Sequence, residues 1–133
     1  MSALPEPASP RWRWLFAAVG VYDLVLGLAF FLFYRSLFDL LDIELPANAA
    51  YLHLAAALIA VQGFSYLLVA RRPVRNVDLV LVGVVYKAAY SALALYYWLI
   101  DEAPHTIFLW FGVVDAVVLV LLLVFLRRHR EEL

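Results

Sequence analysis

The residues of this chain best placed to do chemistry are Asp23, Lys87 and Asp115, because each stands inside a long apolar run. Lys87 lies at the centre of V-D-L-V-L-V-G-V-V-Y-K-A-A-Y-S-A-L-A-L-Y-Y-W-L-I, residues Val77–Ile100. A lysine at the middle of a bilayer costs roughly 2.5–3.5 kcal/mol on insertion scales, so it needs a counter-charge. Asp23 and Asp115 offer one at matching depth in two other runs, and Tyr22, Tyr86, Tyr90 and Gln62 add hydrogen-bonding groups near that level. Two carboxylates sharing one lysine leave an excess negative charge in a low dielectric, which one bound proton would neutralise. A proton or ion relay, or the polar floor of a small cavity, is therefore one reading. The other is structural: an Asp–Lys–Asp set can fix register between helices that lipid alone would not specify. Gln62 and His53 share one run, but their spacing puts them on opposite faces of a helix. Gln62 is deeper and is expected to look inward, whereas His53 is close enough to the outer edge to reach water.

Several other chemistries have no footing. The chain has no cysteine, which removes disulfides and thiolate sites. His53, His105 and His129 fall on separate segments without ligand spacing, so no metal and no cofactor is expected. There is no glycine-rich phosphate loop and no Ser–His–Asp candidate at one depth. A net charge of -1 gives no general attraction to nucleic acid. Apolar residues make up 67% of the chain, against about 45–50% in soluble domains, so the expected partner is the lipid bilayer itself.

The elements that must carry these residues follow from the breaks. Arg35–Asn48 with Pro46, Arg71–Asn76 with Pro73, and Asp101–His105 with Pro104 divide the apolar sequence into runs. The expectation is an all-α, integral membrane, up-down-up-down four-helix bundle, with helices over about 14–34, 49–70, 77–100 and 106–126. Each run is near the roughly 20 residues needed to cross a hydrocarbon core of about 30 Å. Residues 1–13 read as an extended tail and 127–133 as a basic tail. Arginines cluster in the N-terminal flank (Arg11, Arg13), the second loop (Arg71, Arg72, Arg75) and the C-terminal flank (Arg127, Arg128, Arg130), which predicts that both termini are cytoplasmic. The opposite side carries Arg35 with Asp39, Asp42, Glu44, Asp101 and Glu102. Within Arg35–Asn48, leucines interleaved with acids suit either a short interfacial helix or an extension of the first span.

Small residues mark the faces expected to be buried: Gly20 and Gly27 around Asp23, Gly83, Ser91 and Ala94 in line with Lys87, and Gly112 beside Asp115. Gly20-Val-Tyr22-Asp23 and Gly83-Val-Val-Tyr86-Lys87 also echo each other, as two parallel structural repeats would. The arginine clusters at 71–75 and 127–130 could meet anionic lipid headgroups, although topology alone accounts for them.

Gly20-Val-Tyr22-Asp23-Leu-Val-Leu-Gly27, Gly63-Phe-Ser-Tyr66-Leu-Leu-Val-Ala-Arg71, Gly83-x-x-Tyr86-Lys87 and Asp115 together resemble the DoxX-like group of small four-helix bacterial membrane proteins. The resemblance spans most of residues 14–126. It implies a cytoplasmic-membrane protein that is a non-enzymatic scaffold or an accessory subunit of a redox or stress-related assembly, with a membrane protein or further copies of itself as partner. The alternative is a proton-coupled small-solute transporter or channel built on the Asp–Lys–Asp set. Small multidrug transporters also use four helices and an acid in the first, but Lys87 and Asp115 depart from their pattern. An enzyme for a lipid-soluble substrate such as a quinone, lined by Tyr86, Tyr90, Lys87 and His53, is a third reading.

Overall fold

A computed structural model describes residues 10–129; the expected tails therefore lie largely outside the described residues, at 1–9 and 130–133. The described chain is helical throughout its ordered elements: α1 (Pro10–Leu40), α2 (Ala50–Arg71), α3 (Val77–Leu99) and α4 (Thr106–Arg128), with a 3-10 turn at Val74–Asn76 leading into α3. All four helices are long and apolar enough to cross a membrane, which marks a multi-pass membrane protein.

The first helix departs most from its expected bounds. It begins at Pro10, so residues 10–13 are helical and not an extended tail. Proline fits a first helical position, where its missing N–H is no loss, and Trp12 anchors the turn by packing edge-on to Phe125 at 5.2 Å. At its far end α1 runs on to Leu40, through a break in helical geometry at Phe33 (φ -124, ψ 24). The segment after the break is a short helical stretch ending at Leu40, set off from the first span by a kink that lies where the expected helix ends, and its Phe38 is buried against Phe30 and Tyr34.

Both α1 and α3 end in the same device. Asp42 and Asp101 adopt left-handed φ of 55° and 57°. Ile43 N–H donates to Phe38 O and Asp42 N–H to Asp39 O; Glu102 N–H donates to Tyr97 O and Asp101 N–H to Trp98 O. These are Schellman closures, in which aspartate stands where glycine is usual. Next, α4 starts on His105, whose Nδ1 accepts from Ile107 N–H at 2.9 Å.

The helices associate as two intimate pairs, α1 with α2 and α3 with α4, while α2 meets α3 over a shorter stretch. Glycines set the first pair's closeness. A Cβ on Gly20 would stand 2.9 Å from Gly63 O, and one on Gly27 would stand 2.5 Å from Ala60 N. Gly112 does the same for the second pair, facing the Ala94 Cβ. Across the pairs, contact is made by large side chains. The core cluster joins Phe16 and Val19 of α1, Tyr66 and Val69 of α2, Val77 and Val80 of α3, and Val118, Leu122, Phe125 and Leu126 of α4. All of them lie towards the arginine-bearing ends of their helices.

Candidate functional site

Beyond that core, the structure brings Asp23, Lys87 and Asp115 together from α1, α3 and α4. Lys87 Nζ donates to Asp23 Oδ1 at 3.0 Å, to Asp23 Oδ2 at 2.8 Å and to Asp115 Oδ1 at 2.8 Å. An ammonium has three donors, so the lysine is fully engaged. It is also enclosed, with 1% of its side chain exposed. The Tyr66 and Tyr86 rings lie 5.6 Å and 5.9 Å from Nζ, within cation–π range. Fully ionised, the set carries one negative charge in excess, as its residue types require.

Local sequence explains the convergence. Asp23 lies between Gly20 and Gly27 on the face of α1 that buries, and Lys87 follows Gly83 by one turn on α3. Gly83 is needed for a neighbour: a Cβ there would stand 2.6 Å from the Tyr66 hydroxyl. Asp115 follows Gly112 on α4, and Ser91 Oγ donates to Gly112 O at 3.2 Å, tying α3 to α4 beside the triad.

A cavity of about 10 Å3 adjoins the carboxylates. Its wall is made by Tyr22, Asp23 and Leu26 of α1, Ile59 of α2, Tyr86 and Tyr90 of α3, and Phe111 and Asp115 of α4. That volume is at the lower limit for one water molecule. It is too small for a solute. Phe111 of that wall also packs with Phe30 and Phe108, with centroid separations of 5.9–6.3 Å among the three, in edge-on or tilted pairs.

The remaining sequence candidates separate. Tyr86 and Tyr90 line the cavity. Gln62 is buried, but it lies one turn from Tyr66 on α2 and is not among the residues that line the cavity. His53 lies apart, half-buried, with Phe31 and Tyr34 ring centroids 4.9 Å and 5.1 Å away. It shares no contact with the triad that would place it in a common site. Tyr66, whose ring faces the Lys87 ammonium, is not marked as a site residue by its type or depth in the sequence. Its spacing from Gln62, four positions on the same helix face, was the signal available. Among the described residues no cluster of His, Cys, Asp or Glu has metal-holding geometry.

No protein-family model, no curated protein and no solved structure matches this chain.

Proposed function

We propose that the chain is a non-enzymatic membrane scaffold or accessory subunit whose Asp23–Lys87–Asp115 triad clamps two helix pairs together. One observation carries this reading: Lys87 commits every ammonium proton to the two aspartates, leaving none for a substrate. The adjoining cavity, about 10 Å3, leaves no room for one either. The proposed setting is an up-down-up-down bundle in a bacterial cytoplasmic membrane, both termini in the cytoplasm, within a redox or stress-related assembly. The arginine distribution supports the orientation, and the short motifs resembling DoxX-like proteins support the setting.

The test is gentle extraction of the tagged protein from its native membrane, followed by intact-complex mass determination. A stoichiometric protein partner is the expected result. A lone oligomer of this chain, with no partner at any detergent concentration, would remove the accessory role.

A proton-coupled transporter or channel is the second reading, favoured by the excess charge and by the tyrosine-lined, water-sized cavity at Asp23 and Asp115. Its test is reconstitution into liposomes with an enclosed pH-sensitive dye. Proton flux that disappears in Asp115→Asn would favour it, and no flux above empty liposomes would dismiss it.

A further inference from the structure

Four carbonyls end every helix without an internal partner, and those of α2 are all accounted for in an unusual way. Leu68 O accepts from Asn76 Nδ2 at 3.2 Å and Val69 O from Arg72 N–H at 3.1 Å. Ala70 O accepts from Arg13 Nε at 3.3 Å and Arg71 O from Arg13 Nη2 at 3.1 Å. A helix C-terminus normally repels anions. Here a guanidinium from α1 is pinned across it, and the repulsive carbonyls are covered.

Two clefts flank this end and meet at Arg71. One, about 360 Å3, is lined by Arg13, Trp14, Ala17, Ala70 and Arg71; the other, about 340 Å3, by Leu68, Arg71, Arg72 and Asn76. The Arg71 and Arg72 side chains are exposed and pair with no carboxylate among the described residues. Trp14 is 76% exposed at the mouth, in the manner of an indole at headgroup depth. Ala17 and Ala70 leave a shallow apolar floor between the two helices.

We infer that the clefts on either side of Arg71 form a site for the phosphate of an anionic phospholipid headgroup, with Arg71 shared between Arg13 and Arg72 and an acyl chain lying over Ala17 and Ala70. Arginine suits the task, because the planar forks of Arg71 and Arg72 match phosphate oxygens, while Arg13, held by its two backbone bonds, adds a fixed positive charge. The apolar floor distinguishes a lipid from free phosphate, which would gain nothing from it.

The experiment is native mass spectrometry of the full chain in detergent, titrated with phosphatidylglycerol and with phosphatidylcholine of the same acyl chains. The wild type should retain the anionic lipid preferentially. Arg71→Gln with Arg72→Gln should reduce that preference by about 25-fold, about fivefold for each arginine. Arg127→Gln with Arg128→Gln, an equal loss of charge on α4, should leave it within about twofold. Equal losses in the two double variants would mean a diffuse basic surface and overturn the site. So would equal retention of both lipids by the wild type. If the arginine variant does not fold, Ala17→Leu keeps every charge and fills the apolar floor; undiminished lipid retention there overturns the proposal. Inorganic phosphate that binds while phosphatidylglycerol does not would assign the clefts to a soluble anion, against the lipid.

Discussion

Lys87 has unequal partners, and the inequality sets an order of effects. Asp23 receives two of its hydrogen bonds and Asp115 one. Asp115→Asn leaves a neutral, two-bonded Asp23–Lys87 pair and should be the mildest change. Asp23→Asn leaves a neutral pair with a single bond and should be worse. Lys87→Met strands two buried carboxylates and should cost about 3–5 kcal/mol, as breaking a buried pair does. Unfolding in detergent by stepwise addition of a denaturing surfactant would rank the three, and any other order would contradict the geometry. A charge-free triple variant, Asp23→Leu with Lys87→Met and Asp115→Leu, should regain most of the lost stability. These residues were legible in the sequence because a charge in an apolar run must find a partner. Tyr66 was not, because a tyrosine in an apolar helix has many unremarkable places to be, and its position depends on the space left at Gly83.

At the scale of the helix, the close approach of α1 to α2 depends on backbone with no side chain between. Gly27→Ala would set a methyl 2.5 Å from Ala60 N and 2.6 Å from Ala56 O. Backbone cannot swing aside, so a loss of about 1–3 kcal/mol is expected, the range for overpacking; the same surfactant titration measures it. The α3 terminus predicts the opposite sign. Asp101 holds φ of 57°, where a side chain is strained and glycine is not. Asp101→Gly should therefore add about 0.5–1 kcal/mol of stability and raise the melting temperature, and Asp101→Val should lower both. The four apolar spans could be read from the sequence, since length and hydropathy alone define them. Most of their ends could be read too: α2, α3 and α4 stop within two residues of the expected breaks, and the kink at Phe33 lies where the first span was expected to end. The Schellman turns at Asp42 and Asp101 could not, because no glycine announces either.

For the whole molecule, the cysteine-free sequence makes orientation directly measurable. Glu102→Cys should react with a membrane-impermeant maleimide in intact cells, and Arg75→Cys only after the membrane is opened. The reverse pattern would invert the proposed topology. That the chain is a membrane protein was legible from its composition. The arrangement as two pairs was hinted at by the echo between Gly20–Asp23 and Gly83–Lys87; which small residues make the contact was not, because they recur on every helix and only the backbone geometry shows that Gly20, Gly27 and Gly63 serve one contact.

The separation of 64 residues between Asp23 and Lys87 has a bearing on biogenesis. Chains emerge from the ribosome N-terminus first, so α1 and α2 can meet through their glycines and the Arg13 bonds while Lys87 is still unmade. Throughout that interval Asp23 is an acid in an apolar span without a counter-ion. Arrival of α3 supplies one. The same lysine that locks the finished bundle thereby reaches the first helix pair only after that pair can already have formed.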